Sequence, residues 1–192
     1  MTMGPWQIIE AVAAVGNLAY TVLMLYEKRI GWLFGIIASA MGAGLFLHQH
    51  VYAQSVLSAF YVAMGVYGWW SWGRGKDGAL PISRRGLGFH ALIIAGGVVL
   101  TIAAASLLKL FPEAQHTGLD GFTTAFSILA TWMLARKVLE NWAYWIIADL
   151  VAIQLYVLLD LRWYAALYAI YVALSISALV RWGREWRAMH GR

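Results

Sequence analysis

The chain contains no cysteine, three prolines and few charged residues. Without cysteine, disulfide bonds and thiol chemistry are excluded. Charged residues make up 12% of the 192 positions, whereas an ordinary soluble domain has about 25%. Hydrophobic residues make up 62%, and the mean hydropathy is +0.68. A soluble globular domain is therefore excluded, and the composition predicts an integral membrane protein.

Seven apolar stretches approach the length of about 20 residues that a helix needs to cross a bilayer. They cover 6–26, 31–47, 54–72, 87–110, 121–136, 141–159 and 163–181. The three prolines, at positions 5, 81 and 112, fall at or outside the ends of these stretches, where proline does not break a helix. The sequence thus predicts an all-α protein with seven transmembrane helices.

Lysine and arginine are distributed unevenly between the two sides of the predicted membrane. Lys109 and Arg162 fall on one side, and the other 12 of the 14 basic residues fall on the opposite side. The positive-inside rule makes the rich side cytoplasmic, so the N-terminus is predicted outside and the C-terminus inside. Because topology accounts for the net charge of +5, no nucleic-acid partner is predicted.

The chain contains the same three-helix unit twice. Residues 31–74 align without a gap onto 141–184, an offset of 110 (141 − 31), with 13 identities in 44 positions that include the terminal Trp-Gly-Arg. The predicted segments are residues 1–75 for the first repeat, 76–118 for a linker loop with helix 4, 119–184 for the second repeat, and 185–192 for a basic cytoplasmic tail. Helix 4 gives both copies the same orientation, an arrangement written 3+1+3. Parallel repeats predict a transport site near the midplane where the two bundles meet.

The second copy carries the most informative polar residue. Trp142, Trp145 and Asp149 are spaced i, i+3, i+7, so they share one face of helix 6. A carboxylate near the middle of a membrane helix costs roughly 2.5 to 3.5 kcal/mol and usually marks a cavity, a substrate path or an ion site. Indole faces beside it could bind a flat cationic ring. The structural alternative is an interfacial tryptophan belt, with Asp149 paired to an arginine or a hydroxyl.

Other predicted substrate contacts lie on helices 2, 3 and 7. Ser39 is the first-copy equivalent of Asp149, and Tyr61 aligns with Tyr171. The remaining candidates are Ser58 and Tyr168, although a tyrosine stripe is often packing and small polar residues often join helices. The chain contains no Walker A, HExxH or GxSxG sequence, so no enzyme activity and no cofactor is predicted. A membrane-embedded enzyme and a non-transporting membrane subunit are the alternative classes.

Several motifs resemble the PnuC family of bacterial vitamin transporters. In the first copy they are Phe34-Gly35-Ile36-Ile37, Val51-Tyr52-Ala53 and Tyr67-Gly68-Trp69-Trp70-Ser71-Trp72, and in the second the stretch from Arg136 to Trp145 that contains Glu-Asn-Trp-x-x-Trp. The resemblance implies a SWEET-like, multi-pass homotrimer in the lipid of the bacterial inner membrane. It also implies facilitated diffusion of a vitamin precursor, typically nicotinamide riboside, with phosphorylation trapping it inside the cell.

The chain departs from the nicotinamide riboside pattern at its polar positions. Asp149 stands where such transporters look to have asparagine, and Ser58 and Gly65 stand where they look to have glutamine and asparagine. Asn141, inside the Glu-Asn-Trp motif, is a further predicted substrate contact. A carboxylate suits a cationic aromatic vitamin, so thiamine is the alternative substrate and neutral riboflavin gains least from it.

Overall fold

The computed structural model describes residues 5–48, 52–74, 80–111 and 114–191, apart from the side chains at 5, 7, 10 and 52–54. Val51, the predicted boundary at 75/76, Lys76, Pro112 and Arg192 lie outside the described residues. The described residues form seven helices: α1 (Pro5–Leu25), α2 (Gly31–His48), α3 (Tyr52–Trp72), α4 (Leu87–Leu108), α5 (Thr117–Ala135), α6 (Asn141–Leu158) and α7 (Arg162–His190). The described ranges contain no β-strand, and the prediction of a seven-helix, all-α chain is confirmed.

Four of the helices, α2, α4, α6 and α7, are long and apolar enough to cross a membrane. Two boundaries differ from the predicted ones by more than two residues. Helix α5 begins at Thr117, four residues before the predicted start at 121, and α7 continues to His190, nine residues beyond the predicted end at 181. Hydropathy marks the part of a helix that lies in lipid, whereas hydrogen bonding continues into polar sequence. The segment predicted as a basic tail is therefore helical as far as His190.

The chain divides into two compact units, Met1–Pro81 and Ile82–Arg192. In the first unit, α2 packs against both α1 and α3. In the second, α6 packs against both α5 and α7 in the same way, and α4 packs on α5. Each unit thus places the middle helix of its repeat between the other two.

The duplication is visible in the turn that precedes each middle helix. Glu27 and Lys137, 110 positions apart, both adopt a left-handed backbone, with φ of 54° and 50°. Amides near these residues donate hydrogen bonds to equivalent carbonyls: Lys28 to Leu23 and Gly31 to Lys28 in the first unit, and Val138 to Met133 and Asn141 to Val138 in the second. Non-glycine residues seldom adopt this conformation. Its recurrence at the same offset supports a true repeat.

The paired tryptophans keep the same geometry in both copies. Trp32 meets Trp72 edge to face, with ring centroids 5.6 Å apart and planes at 89°. Trp142 meets Trp182 with centroids 5.5 Å apart and planes at 88°. All four side chains are at most 2% exposed. The pair joins the first turn of the middle helix to the third helix of the repeat, which explains why both tryptophans recur at matched positions.

Helix α4 packs closely on α5 at two glycines. A Cβ on Gly97 would lie 2.6 Å from the ring of Phe126, and one on Gly121 would lie 2.8 to 2.9 Å from backbone atoms of Ala105 and Thr101. These glycines permit an approach that a larger residue would block. The rest of α4 is largely exposed, and its mean hydropathy of 2.4 is the highest of the four membrane-length helices.

The segment before α4 is tied to the turn between α5 and α6. The amide of Ser83 donates to the carbonyl of Lys137 (2.9 Å), and the amide of Leu139 donates to the carbonyl of Ser83 (2.8 Å). Beside them Arg84 forms a 3.0 Å ion pair with Glu140. Glu140 Oε2 also lies 4.0 Å from His90 Nε2. The N-terminal end of α4 is thus attached to α6 as well as to α5.

Candidate functional site

Asp149 lies close to the midpoint of the 18-residue α6, in the second unit. It is 3% exposed. The preceding residue, Ala148, packs into a small apolar cluster with Ala125 and Phe126 of α5. Helix α6 therefore uses one face to pack on α5 and holds a buried carboxylate on the adjoining face.

Within the described part of the chain, Asp149 forms no ion pair with a lysine, arginine or histidine. It interacts electrostatically with Tyr171 on α7. The predicted alternative of an arginine partner thus finds no support among the described residues, whereas a tyrosine hydroxyl does interact with the carboxylate. An isolated buried charge is costly unless something neutralises it or bonds to it. Asp149 therefore remains a candidate for binding a cationic group, and its predicted substrate contact stays a prediction.

Four tyrosines form a row in the second unit, from the region that contains Asp149 to the end where α6 meets α7. We call Tyr164, Tyr156, Tyr168 and Tyr171 the tyrosine series. The ring centroids of successive members are 5.4, 5.1 and 5.6 Å apart. The side chains of Tyr156 and Tyr168 are also hydrogen-bonded to each other. Contacts of this kind are typical of favourable aromatic pairs, so the predicted contacts Tyr168 and Tyr171 belong to a longer row.

The two predicted tryptophan contacts differ in their surroundings. Trp145, one turn before Asp149, is half-buried. Trp142 is 2% exposed and packs against Trp182. Its Nε1 has no hydrogen-bond partner among the described residues, a property that it shares with the equivalent Trp32. Trp145 is therefore the better placed of the two to stack on a ligand, and the contacts of Trp142 favour a packing role.

Asn141 begins α6 and is fully buried. Its side-chain amide donates a 2.7 Å hydrogen bond to the carbonyl of Val138, three residues before it. Its Oδ1 has no partner among the described residues. The local bond closes the turn before α6, so a structural role is established, and the predicted substrate contact stays a prediction.

The first unit holds the remaining predicted contacts, and all of them are half-buried: Ser39, Ser58 and Tyr61. A Cβ on Gly42 of α2 would lie 3.5 Å from Ser58 Oγ, so this serine faces the helix beside it. Tyr61 packs edge to face on Phe60, with centroids 5.6 Å apart. These contacts are compatible with packing, and a substrate role for the three residues stays a prediction.

Sequence reasoning missed two features of the second unit. Tyr156 lies seven residues after Asp149, a spacing that places both on one face of α6 and could have revealed it. The cluster of Arg84, Glu140, His90 and Tyr144 could not have been found, because its contacts join distant parts of the sequence: Arg84 is 56 positions from Glu140 and His90 is 54 positions from Tyr144. His90 Nδ1 lies 3.0 Å from the Tyr144 hydroxyl. The described residues contain no group of three or more potential metal ligands.

Comparison with known proteins identifies the family to which this chain belongs. A family model described as nicotinamide mononucleotide transporter matches residues 7–184, nearly the whole chain. The chain belongs to this family. Nicotinamide riboside transporter PnuC of Escherichia coli strain K12 is 23% identical over 201 residues, covering 91% of this chain and 84% of that protein. The resemblance to PnuC transporters, and the prediction of a membrane transporter of the bacterial inner membrane, are confirmed.

Two further matches extend the comparison. Riboflavin/roseoflavin transporter RibM of Streptomyces davaonensis is 27% identical over 186 residues, covering 85% of each chain. A solved structure described as the crystal structure of the vitamin B3 transporter PnuC has a TM-score of 0.73 and 23% identity, and the match covers 92% of this chain and 80% of that chain. At this identity the structural match establishes the fold.

Proposed function

We propose that this transporter carries a small cationic aromatic vitamin, nicotinamide riboside, across the membrane by facilitated diffusion. The observation that carries the proposal is Asp149, a buried carboxylate with no ion pair among the described residues and with Tyr171 close by. A pyridinium ring would supply the missing positive charge. Its flat face could stack on Trp145, one helical turn away. Phosphorylation of the substrate inside the cell would then maintain the inward gradient.

Riboflavin is the second candidate substrate. RibM, whose name gives riboflavin and roseoflavin, is as similar to this chain as the nicotinamide riboside transporters are. Riboflavin is neutral, however, and gains no charge neutralisation from Asp149. Thiamine carries a permanent positive charge and stays a predicted alternative on that ground. The carboxylate therefore favours the two cationic substrates.

We further propose that the seven helices all cross the membrane in a 3+1+3 arrangement with the N-terminus outside, and that the chain forms a homotrimer. The matched tryptophan pairs and turns support the repeat, and the single helix α4 between the two copies is what the 3+1+3 arrangement requires. Arginines also contact aromatic rings at the predicted cytoplasmic ends of helices. Arg29 lies 4.1 Å from the centroid of Trp69 and Arg136 lies 4.4 Å from that of Trp132. Basic and aromatic residues together are typical of the membrane interface.

Isothermal titration of the detergent-purified protein with nicotinamide riboside, thiamine and riboflavin, in parallel, tests the substrate assignment. We expect heat of binding with nicotinamide riboside and at least tenfold weaker binding of riboflavin. Binding of riboflavin alone would contradict the role given to Asp149. Binding of thiamine alone would keep that role and change the substrate.

A further inference from the structure

Besides Asp149, a second acidic residue interacts with the tyrosine series. It lies at the end of the second unit where α5 begins and α6 ends. Asp120 lies in the first turn of α5 and is half-buried. It interacts electrostatically with Tyr156, a member of the tyrosine series. One carboxylate thus interacts with an outer member of the series, and the other, Asp149, interacts with Tyr171 at the opposite end of the row.

We propose that Asp120, Tyr156 and Tyr164 form a loading site for a cationic aromatic substrate, from which the substrate passes along the tyrosine series toward Asp149. The proposal rests on the proposed function, because it assumes a substrate with positive charge and a flat ring. In the predicted orientation this end of the unit faces the outside of the cell. The loading site would be the first place at which the incoming vitamin is held.

The chemistry of the row suits such a ligand throughout its length. The face of a tyrosine ring attracts a cation. The centroids of successive rings are 5.1 to 5.6 Å apart, so a ligand that displaces one ring contact has the next ring within reach. A carboxylate at each end adds charge attraction where the substrate would arrive and where it would be held. Neutral and anionic solutes would gain little or be repelled.

The outer members of the series are accessible. Tyr164 is 43% exposed, and Tyr156 and Asp120 are half-buried. A ligand could therefore meet Tyr164 first and then exchange one ring contact for the next by side-chain rotation. Rotamer changes of exposed aromatic residues are fast compared with the turnover of a typical transporter.

The first copy offers no equivalent row. The residues 110 positions before Tyr156, Tyr164 and Tyr168 are Phe46, Gln54 and Ser58. If tyrosines at these places only served packing of the repeat, the two copies would be expected to share them, as they share the tryptophan pairs. The second copy alone combines the row of hydroxylated rings with the two carboxylates Asp120 and Asp149.

Asp120 also has a simpler structural explanation, since an acidic residue in the first turn stabilises a helix through the helix dipole. That role predicts an effect on stability and none on substrate capture. The experiment must therefore separate the Michaelis constant from the maximal rate and from the melting temperature.

Uptake of radiolabelled nicotinamide riboside by proteoliposomes is the test. Asp120→Asn should raise the KM about three- to tenfold while the maximal rate changes less than twofold. Raising the salt concentration from about 0.05 to about 0.5 M should reduce the difference from the wild type, because ions screen exposed charges. Melting of the detergent-purified variant measures the structural contribution separately.

The matched control is Asp160→Asn. Asp160 lies at the same end of the unit and its side chain is 83% exposed, but it already forms a 3.0 Å ion pair with Arg162. This variant removes the same charge outside the tyrosine series and should leave the KM unchanged. Equal KM values for the wild type, Asp120→Asn and Asp160→Asn would overturn the loading site, and so would equal increases in the two variants.

Tyr156 supplies a second test that does not depend on the folding of Asp120→Asn. Tyr156→Leu removes the ring and should raise the KM, whereas Tyr156→Phe keeps the ring and should restore most of the wild-type value. Equal KM values in both variants would again contradict the proposal. If the wild type transports nicotinamide riboside and Asp149→Asn does not, the proposed function stands whatever these variants show; if the wild type transports none, the proposed function itself fails.

Discussion

The two copies of the repeat share a structural frame but differ at polar positions beside it. Both keep the tryptophan pair and the left-handed turn, but Ser39 in the first copy corresponds to Asp149 in the second. In the first copy a Cβ on Gly35 would lie 2.9 Å from the ring of Tyr20. The corresponding residues of the second copy are Trp145 and Ala130, so the large and the small side chain have changed places.

This comparison suggests how a duplicated bundle becomes a selective transporter. The frame tolerates little change, because each tryptophan fills its space in the core. The neighbouring face of the middle helix can change, since exchange of a small and a large residue conserves volume there. The second copy has used that freedom to place an indole one turn from a carboxylate. We therefore expect substrate recognition to be concentrated in the second copy.

The largest expected effect comes from replacing Asp149, the residue that distinguishes the second copy from the first. Asp149→Asn should weaken binding of nicotinamide riboside about tenfold to hundredfold, because the amide no longer neutralises the positive charge of the pyridinium ring. The equivalent change in the first copy, Ser39→Ala, should alter affinity less than threefold. Isothermal titration of both variants checks the prediction. Similar losses from the two changes would show that the copies contribute equally.

Asp149→Asn should also leave the melting temperature of the purified protein unchanged or slightly higher. The amide has nearly the same shape as the carboxylate, and it removes a buried charge that has no ion pair among the described residues. A large fall in melting temperature would instead assign Asp149 to folding, and the loss of binding would then need a different explanation.

A moderate effect is expected from the shared tryptophans. Trp32→Phe and Trp142→Phe should each destabilise the protein by about 1 to 3 kcal/mol, because the smaller ring leaves a cavity in the core. Neither Nε1 has a hydrogen-bond partner among the described residues, so loss of the N–H should add little. Thermal unfolding in detergent measures the two variants side by side. If Trp142→Phe alone weakened ligand binding, the predicted substrate contact of Trp142 would gain support.

The smallest effect concerns a contact that only the second copy can make. Glu140→Gln removes the ion pair with Arg84, and the equivalent residue of the first copy is Ile30. Because the Arg84 side chain is 54% exposed, we expect a loss of no more than about 1 kcal/mol. The melting temperature should fall by a few degrees at most at low salt and hardly at all at high salt. A loss that does not depend on salt would indicate a structural role beyond charge pairing.

The sequence was sufficient to predict the helices, the repeat and the position of Asp149. Each of these depends on composition, on periodicity or on an internal alignment. The contact of Trp142 with Trp182 was not predicted, since the spacing of Trp142 with Trp145 gives only a shared helix face. Nor could the bridge between Ser83 and the 137–139 turn be predicted, because backbone hydrogen bonds between distant segments leave no pattern of side chains.

Helix α4 has one buried residue, Gly97, and most of its other side chains are apolar and exposed. Most of its positions therefore need only to be compatible with lipid. In a comparison of random substitutions, exchanges among alanine, valine, leucine and isoleucine should survive over most of this helix. Selection should be strict only at the short face made by Gly97, Thr101 and Ala105. Because the other positions tolerate exchange, α4 should diverge faster between species than the helices of either repeat.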